Sequence, residues 1–512
     1  MTHQNHIVVL DFGSQYTQLI ARRIREIGVY CEILPHWTPL GQVLERKPKG
    51  IILSGGPRSV YEPGAPLPHP DLLKTGVPVL GICYGMQALA QILGGRVARA
   101  SQEEYGPRSV EIVRRNPIFK GLRRRIRVWM SHADYVEALP RGWKVIGRTE
   151  TCPYAAATDR SGRILGVQFH PEVSHTDSGT VILKNFVLEI CNAPRTWSME
   201  SFVEETVESI RATVGGERVL CALSGGVDSS VTAVLVGRAV GERLTCIYVN
   251  NGLMRKNEPQ GVRLLARTAR LKVRYVNAAQ RFLSRLRGVT DPEVKRRVIG
   301  HEFIRVFEES IPRHEPPRFL AQGTLYPDVI ESMSHRGPSD TIKSHHNVGG
   351  LPRKMKLRLI EPLRELFKDE VRKVGKIIGI PEEILRRHPF PGPGLAVRII
   401  GEVTRSRLQV LREVDWIVVD ELKKAGLYDE IWQAFAVLLP VRTVGVMGDR
   451  RTYQSVVAIR AVTSRDGMTA DWARIPDHVL ETIATRIVNS VKQVNRVVYD
   501  VTSKPPGTIE WE

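Results

Sequence analysis

Short apolar runs alternate with amphipathic stretches in the N-terminal part of the chain. The apolar runs 7–10, 50–53 and 77–82 have the length and composition of buried strands, and the stretches 17–27 and 86–93 have helical patterns. Strands that alternate with helices in this way are typical of a mostly parallel sheet with helices on its faces. The pattern therefore predicts an α/β fold for the first domain.

The same alternation returns in the middle of the chain. Residues 218–223 and 244–249 are apolar runs that predict strands, and residues 231–240 between them predict a helix. Further along, we expect a charged helix to begin in the segment 361–372. Because α/β domains of this kind bind ligands at the carboxyl ends of their strands, the pattern predicts a second, nucleotide-binding α/β domain.

The C-terminal part has a different pattern. Residues 388–397 (HPFPGPGLAV) contain three prolines and two glycines, which predicts a rigid connector. Amphipathic segments then alternate with short β-type runs, which predicts a small α+β domain. These segments are 405–425 and 479–494, and the β-type runs are 456–461 and 496–501.

Length and charge restrict the classes of protein that the chain can belong to. A chain of 512 residues is long enough for about three domains with proper cores. The net charge is +20, but the basic residues are scattered and lack the interleaved aromatic residues of a groove that follows a nucleic-acid strand. We interpret them as solvated surface with a few phosphate contacts, and expect no nucleic-acid partner.

The six cysteines form no C-x-x-C pair and no zinc-binding spacing, which fits a reducing compartment. The chain enters a predicted strand almost at once, without the pattern of a signal peptide, and it has no apolar run long enough to span a bilayer. We therefore expect a cytoplasmic protein that does not bind membranes.

Residues 81–85 (GICYG) lie between a predicted strand and a predicted helix, which is the layout of a nucleophile elbow with sulfur in place of oxygen. The helix N-terminus would favour the nucleophilic thiolate of Cys83. Downstream, His170 and Glu172 point to one face of an extended segment, where the carboxylate could orient the imidazole. A buried cysteine and a hydrogen-bonded histidine without chemistry are the alternatives.

These residues resemble the class I glutamine amidotransferases. The resemblance implies that Cys83 attacks the side-chain amide of glutamine and releases ammonia, after which water frees glutamate. His170 would act as general base and then as general acid, and Glu172 would orient it.

The same resemblance implies roles for three further residues. The backbone N–H groups of Gly56 and Tyr84 would form the oxyanion hole, and Gln87 would help to hold the glutamine. A glycine of the family's pattern is replaced by Ala133 in the segment 130–134 (MSHAD), so the backbone near the glutamine pocket is expected to differ slightly.

Residues 224–230 (SGGVDSS) also join a predicted strand to a predicted helix. Adjacent glycines let backbone N–H groups approach an anion, and the helix N-terminus adds a partial positive charge. Ser224, Ser229 and Ser230 offer hydroxyl groups, and Asp228 could help to hold a divalent cation. The loop lacks the Gly-Lys-Ser/Thr of a Walker A loop. A tight turn that binds nothing is the alternative.

The loop resembles the signature of the ATP pyrophosphatase family, whose members cleave ATP between its α- and β-phosphates and adenylate a substrate oxygen. The resemblance implies an ATP site with Mg²⁺ at Asp228. The residues that would bind ATP are Ser224, Gly225, Gly226, Val227, Asp228, Ser229, Ser230 and Lys368. Asn250 stands where the family often has Asp, so it keeps an acceptor but loses the charge.

The segment 343–352 (KSHHNVGGLP) is polar and rich in glycine, without a helical or strand period. This composition predicts a loop. We expect it to act as a lid that covers the activated intermediate, with His345 and His346 over the active site.

The final residues, 502–512 (TSKPPGTIEWE), contain turn residues, an aromatic residue and charges, which predicts a docked tail. The tail and the order of the domains resemble the glutamine-hydrolysing GMP synthetases over essentially the whole chain. The predicted domains are 1–195, 196–388 and 389–512. The resemblance implies that the third domain makes a homodimer and helps to bind xanthosine monophosphate (XMP). The implied XMP contacts are Arg296, Gln433, Asp449, Lys504, Ile509 and Glu510.

The implied reaction is the ATP-dependent adenylation of XMP at O2, followed by amination with ammonia from glutamine. Its products are GMP, AMP, pyrophosphate and glutamate. A tRNA-modifying enzyme remains an alternative because related loops adenylate tRNA bases and the chain is basic, although it has no cysteine pair for sulfur transfer. A regulatory binding protein with inactive sites is a third hypothesis, against which the intact Cys83, His170 and Glu172 argue.

Overall fold

The computed structural model describes residues 6–312, 316–329, 357–447, 450–464 and 469–512. Backbone contacts divide the chain into two compact units. The first unit extends to Phe202, and the second contains the described residues from Val203 to Asp328 and from 357 onward. The boundaries of the three predicted domains remain predictions.

The first unit is built on one nine-stranded sheet with the strand order β2-β1-β3-β4-β9-β8-β7-β5-β6. The strands are β1 (Ile7–Asp11), β2 (Cys31–Pro35), β3 (Gly50–Leu53), β4 (Val79–Ile82), β5 (Arg96–Ile112), β6 (Arg125–Ala138), β7 (Lys144–Arg148), β8 (Ala156–Thr158) and β9 (Ile164–Val167). The sheet is parallel from β2 to β9, as predicted. The pairs from β9 to β6 are antiparallel, so the prediction of a mostly parallel sheet is wrong for that half.

Helices pack on the parallel half of this sheet. They are α1 (Thr17–Glu26), α2 (Leu40–Glu45), α3 (Tyr84–Ile92) and α4 (Gly179–Lys184), which continues as a π-helix over Asn185–Ile190. Because helices cover a parallel sheet, its strands are buried runs such as IVVLD in β1 and GIIL in β3. The long strand β6 instead alternates buried and more exposed residues, as expected for a sheet with one solvated face.

The second unit begins with a parallel five-stranded sheet in the order β12-β11-β10-β13-β14. Its strands are β10 (Val219–Ala222), β11 (Leu244–Asn250), β12 (Val273–Asn277), β13 (Phe319–Ala321) and β14 (Arg358–Ile360). The central strand β10 ends at the loop 224–230. The loop therefore lies at the carboxyl edge of the sheet, where such folds bind ligands.

Helices surround both sheets of the second unit. They are α5 (Met199–Val214), α6 (Val227–Val240), α7 (Glu258–Thr268), α8 (Ala279–Arg285), α9 (Pro292–Glu309), α10 (Lys368–Ile377), α11 (Glu382–Leu385), α12 (Arg405–Lys424) and α13 (Asp477–Ser490). The boundary between the two units falls within α5.

The charged helix expected to begin in the segment 361–372 starts at Lys368, inside that segment. Pro362 disfavours helical backbone at Glu361. The Glu361 carboxylate instead accepts a hydrogen bond of 2.6 Å from the hydroxyl of Thr324. The helix begins where the Glu370 side chain accepts a 2.9 Å bond from the Phe367 N–H group and satisfies one of its free donors.

The rest of the second unit is the predicted α+β arrangement. Its strands are β15 (Gln433–Met447), β16 (Arg450–Thr463), β17 (Asp471–Trp472) and β18 (Val494–Tyr499). The pairs that β16 forms with β15 and β17 are antiparallel, and its pair with β18 is parallel. Buried residues of α12 and α13, including Leu411 and Ile483, share one hydrophobic core with Ile459 of β16 and Leu220 of β10.

Two further predictions concern the whole chain. All six cysteines are free and buried. Among the helices that the structure describes, none has the length and hydropathy needed to cross a bilayer.

Candidate active site

Cys83 lies in a sharp turn between β4 and α3. Its φ of 51° and ψ of −107° put a non-glycine residue in a conformation that L-amino acids rarely adopt, at a cost of about 1–3 kcal/mol. The flanking glycines make the turn possible. A Cβ atom on Gly81 would lie 2.6 Å from the carbonyl of Gly85, and one on Gly85 would lie 2.4 Å from the carbonyl oxygen of Leu53. This is the geometry of the predicted nucleophile elbow.

The His170 imidazole is buried beside the thiol. Its Nδ1 atom lies 2.7 Å from Oε1 of the fully buried Glu172, which leaves Nε2 for the hydrogen bond with Cys83. Burial alone would lower the pKa of His170. The charges of Glu172 and Cys83, and the hydrogen bonds to both, outweigh burial and raise this pKa well above its ordinary value. The surroundings therefore favour a protonated His170 imidazole next to the Cys83 sulfur.

Two further groups contact the Cys83 thiol, and the sequence analysis predicted neither of them. The Sγ atom of Cys83 donates to the Ser131 carbonyl at 3.7 Å, and the side-chain amide of Gln168 donates to the same sulfur at 3.7 Å. Gln168 stands two residues before His170, so the alternation of an extended segment could have identified it. The position of the Ser131 carbonyl depends on the antiparallel half of the sheet, which the sequence did not predict.

The candidate oxyanion-hole residues lie next to each other. A Cβ atom on Gly56 would lie 3.2 Å from Cγ of Tyr84 and 2.8 Å from the carbonyl oxygen of Phe12, so only glycine fits this turn. A Cβ atom on the neighbouring Gly55 would lie 3.2 Å from Cε1 of His170. The structure thus places the Gly56 turn, Tyr84 and the His170–Cys83 pair around one point.

Gln87 is buried on α3, and its side-chain amide donates to the backbone carbonyl of Asp134 at 2.8 Å. The Asp134 carboxylate accepts hydrogen bonds from the hydroxyls of Ser59 and Tyr61. Gln87 therefore fixes the segment 130–134, and its predicted contact with glutamine stays a prediction. Ala133 lies inside the extended strand β6, where alanine is accommodated.

The loop 224–230 is closed by its own hydroxyl groups. Ser224 and Ser229 are joined through their Oγ atoms at 2.9 Å, and the hydroxyls of Ser229 and Ser230 donate to the carbonyl of Gly226 at 3.1 Å and 2.7 Å. Gly225 has a φ of +84°, which favours glycine. Gly226 is the N-cap of α6, whose first residue is the buried Val227. The backbone N–H groups of the first turn of α6 therefore belong to this loop.

A cavity of about 720 Å³ opens in front of this loop. The Nζ atom of Lys368, the first residue of α10, lies 3.9 Å from Oδ2 of Asp228. Charged side chains of both signs line the cavity, and a phosphate group could pair with the cationic ones. The cationic residues are Arg255, Lys256, Lys368, Arg387 and Lys423, and the acidic ones are Asp228, Glu258, Glu383, Asp415 and Asp420. A magnesium ion commonly takes one or two protein carboxylates together with substrate phosphates, and Asp228 fits that arrangement.

Arg387 supports the loop from within this cavity, a role that no sequence motif predicts. One guanidinium nitrogen donates to the carbonyl of Gly225 at 3.0 Å and to Glu258 at 2.6 Å. A Cβ atom on Gly261 would lie 2.1 Å from its other nitrogen, so α7 leaves room for the guanidinium. Asn250 at the end of β11 accepts a 3.1 Å bond from the Gly252 N–H group and shapes the next turn.

The C-terminal tail is docked, as predicted. Glu510 accepts two hydrogen bonds from the buried Arg398, at 2.8 Å and 3.0 Å, and one from Gln433 at 2.7 Å. The carbonyl of Glu512 accepts from Arg296 at 2.5 Å, and its carboxylate is bonded to the fully buried Lys295.

The other residues implied in XMP binding are also in the second unit. Ile509 packs against the small apolar cluster around Phe435, and Lys504 pairs through its backbone with Ala470. Asp449, His345 and His346 lie outside the described residues, as does the segment 343–352.

Three family models match the chain in the order of these features. They are glutamine amidotransferase class-I over residues 8–190, the tRNA methyl transferase HUP domain over residues 217–284, and the GMP synthase C-terminal domain over residues 420–511. The first contains the Cys83 turn, the second the loop 224–230, and the third the docked tail.

Full-length relatives decide the family. The protein named GMP synthase (glutamine-hydrolyzing) from Synechocystis sp. is 57% identical over 99% of this chain and 95% of its own length. Proteins of the same name from Aquifex aeolicus and Thermomicrobium roseum are 56% and 58% identical, again over 99% of this chain. The chain belongs to the glutamine-hydrolysing GMP synthase family. Membership of the GMP synthase family does not favour the tRNA-modifying alternative, although the HUP-domain model is named after such enzymes.

Proposed function

We propose that the chain synthesises GMP from XMP by two reactions at two sites, the Cys83 turn and the loop 224–230. Glutamine supplies the nitrogen and ATP activates the purine oxygen, as expected for a GMP synthase. One observation carries the proposal. A Cys–His–Glu arrangement on a nucleophile elbow and an anion-binding loop at the carboxyl edge of a parallel sheet occur in the same chain.

The first reaction is the hydrolysis of glutamine. The Cys83 thiolate attacks the amide carbon, and the N–H groups of Gly56 and Tyr84 stabilise the resulting oxyanion. The His170 imidazolium donates its proton to the departing ammonia, which leaves a thioester on Cys83. Neutral His170 then takes a proton from water, which attacks the thioester and releases glutamate. Glu172 keeps the imidazole oriented and stabilises its charged form.

The second reaction is the adenylation of XMP. The β- and γ-phosphates of ATP lie on the loop 224–230, where backbone N–H groups and Lys368 stabilise the departing pyrophosphate. The O2 atom of XMP attacks the α-phosphorus and becomes part of a good leaving group. Ammonia then adds at C2 and AMP departs, which gives GMP. Mg²⁺ at Asp228 would neutralise phosphate charge, and the position of Lys368 next to Asp228 supports the binding of phosphate there.

The docked tail supports an XMP site in the second unit. Gln433 and Glu510 are already hydrogen-bonded to each other, and Arg296 binds the backbone of the final residue. Arg296 and Lys504 would supply positive charge for the phosphate of XMP, whereas Gln433 and Glu510 match the donors and acceptors of a purine ring. Ile509 would add an apolar contact.

The exposed apolar residues of the β15–β16 hairpin support a homodimer. Val446 is 75% exposed and Tyr453 is 65% exposed, and Val441 and Val444 on the same hairpin are also exposed. Exposed apolar residues grouped on one element are typical of surfaces that bind another protein chain. A second copy of the chain is the partner that the family resemblance implies. A cytoplasmic location is proposed because all six cysteines are free.

The release of AMP and pyrophosphate from ATP tests this proposal. The full chain is incubated with ATP, Mg²⁺ and an ammonium salt, with XMP in one reaction and mixed tRNA in another. We expect release that depends on XMP and is accompanied by GMP. Release that depends on tRNA and not on XMP would instead support the tRNA-modifying alternative.

A further inference from the structure

A second group of ionisable side chains lies in the first unit and has no part in the reactions above. It consists of Glu104 on β5, His132 on β6 and Cys152 between β7 and β8. One potential ligand atom from each lies within 4.8 Å of the others. Their side chains are shielded from solvent, since the residues are only 2%, 5% and 1% exposed. A carboxylate, an imidazole and a thiol thus converge in a closed space.

The sheet register brings the first two together. Glu104 pairs directly with His132 across β5 and β6, and the His132 Nε2 atom lies 3.1 Å from Oε2 of Glu104. The other ring nitrogen, Nδ1, is buried and has no hydrogen-bond partner among the described residues. A buried polar atom without a partner costs about 1–3 kcal/mol. This nitrogen is therefore a reason to expect a ligand.

The ligand atoms are held by surrounding hydrogen bonds. Hydroxyls of Thr149 and Thr151 donate to Oε1 of Glu104, and Thr149 also accepts from the N–H group of Cys152 at 2.8 Å. The N–H group of Tyr154 hydrogen-bonds to the Cys152 sulfur. Outer hydrogen bonds of this kind fix the orientation of ligands in metal sites.

We propose that Glu104, His132 and Cys152 bind one zinc-like divalent ion. Oxygen, nitrogen and sulfur ligands of these types are those that zinc prefers, and three protein ligands with one water complete a tetrahedron. The ion forms bonds to one carboxylate oxygen, one ring nitrogen and the sulfur. The Cys152 thiol releases its proton to solvent as the metal–sulfur bond forms.

Two charged side chains bear on a cation at this site. The Glu104 carboxylate, held by the hydroxyls of Thr149 and Thr151, attracts a cation. The Arg108 guanidinium, 3.6 Å from Glu104, opposes one.

The ion would act on the glutamine site through β6. His132 directly follows Ser131, whose carbonyl accepts from the Cys83 thiol, and it lies two residues before Asp134, whose carbonyl holds Gln87. A metal bond to His132 shifts this segment. We therefore expect the ion to inhibit glutamine-dependent synthesis and to spare ammonium-dependent synthesis. This consequence rests on the proposed glutaminase reaction, whereas the binding itself does not.

Cobalt binding to the full-length Cys83→Ala variant tests the site, because that change removes the reactive thiol that would otherwise compete. Titration with Co²⁺ is followed by absorption spectroscopy. We expect one equivalent to produce the visible bands of tetrahedral cobalt and a sulfur-to-cobalt charge-transfer band. A further Cys152→Ala change should abolish these bands, whereas Cys31→Ala, which removes another buried thiol of this unit, should keep them.

Two outcomes would overturn the site, namely the absence of a cobalt–sulfur band and a band that survives Cys152→Ala. Ammonium-dependent GMP synthesis, measured in each variant, shows that the chain is folded. The milder Glu104→Gln change keeps the shape of the side chain and should weaken cobalt binding at least about tenfold. Unchanged cobalt binding would also contradict the site.

Inhibition of the glutamine site is tested separately, with Cys83 intact. Cys152→Ala should raise the Zn²⁺ concentration for half-inhibition of glutamine-dependent synthesis at least about tenfold. Equal inhibition of the parent and the variant would overturn the effect on the glutamine site.

Discussion

The Nδ1 atom of His170 lies 2.7 Å from Oε1 of Glu172, and both side chains are buried. With one ring nitrogen held by the carboxylate, the other is directed to the hydrogen bond with Cys83. The carboxylate charge raises the pKa of His170 despite its burial, so the imidazole keeps a proton that it can give to ammonia.

Glu172→Gln should therefore impair the glutaminase reaction. The amide keeps the shape of the side chain but removes the charge, so the pKa of His170 falls and its orientation is less well fixed. We expect glutamine-dependent activity to fall about 10²–10⁴-fold. The measurement is kcat/KM for glutamine as a function of pH, with ammonium-dependent synthesis as the control. An unchanged pH profile would refute the proposed role of Glu172.

Arg387→Gln should impair the adenylation reaction. The guanidinium bonds that hold the carbonyl of Gly225 are lost, and a displacement of reacting groups by about 1 Å can cost about 10²-fold in rate. We expect kcat/KM for ATP in XMP-dependent pyrophosphate release to fall at least about tenfold, with glutaminase activity retained. The neighbouring Arg386, which pairs with Glu382 and Asp429 at the surface, provides the matched control. Equal effects of Arg386→Gln and Arg387→Gln on kcat/KM for ATP would contradict the role of Arg387 in supporting the loop 224–230.

His388 should make the stability of the second unit depend on pH. Its Nδ1 atom accepts from the Ala434 N–H group at 3.1 Å, and Nε2 lies 2.7 Å from the carbonyl of Tyr428, so the ring is held neutral. Burial chiefly lowers its pKa from 6.5 to about 4. Between these values the unfolded chain binds a proton that the folded chain does not. Stability is therefore complete above pH 6.5 and falls by about 3 kcal/mol as the pH drops to 4.

Urea unfolding of the full chain between pH 4 and 7 measures this effect. The His388→Gln variant should be less stable at pH 7, but its midpoint should change less with pH than that of the parent. The exposed His69, replaced in the same way, should leave the pH dependence unchanged. Parallel pH curves for the parent and His388→Gln would show that His388 does not titrate as described.

The β15–β16 hairpin should be part of the dimer contact. Replacing both Val446 and Tyr453 by Asp puts charge on the exposed apolar surface, so we expect the mass in solution to fall from that of two chains to that of one. Size-exclusion chromatography with light scattering gives the mass. Val113→Asp, at an exposed apolar position of the first unit, is the control. A double variant that keeps the mass of two chains would place the dimer contact elsewhere.

The sequence identifies the two catalytic turns well because their physical causes are local. The apolar run before Cys83, the small residues around it and the helical pattern after it lie within residues 77–93. The corresponding features of the loop 224–230 lie within residues 218–240. The structure places β4 at Val79–Ile82 and α3 at Tyr84–Ile92, close to the predicted 77–82 and 86–93.

The features that the sequence does not predict depend on contacts between distant parts of the chain. The strands β5 and β6 carry many charged and polar residues, so their pairing cannot be distinguished from loops by hydrophobic pattern alone. As basic residues without a recognisable motif, Arg387 and Arg398 would be assigned to the surface. Their hydrogen-bond partners in the structure are Gly225 and Glu510, more than a hundred positions away in the sequence. A buried charge is stable only when it is paired in this way, and the sequence does not show which residue is the partner.

We propose that one chain divides the chemistry between Cys83 and the loop 224–230, and the Cys83→Ala variant tests this division. GMP formation is measured with glutamine and, separately, with an ammonium salt as the nitrogen source. We expect glutamine-dependent synthesis to be abolished while ammonium-dependent synthesis remains near the parent's rate. Loss of both activities in a folded protein, or retention of the glutamine-dependent one, would contradict it.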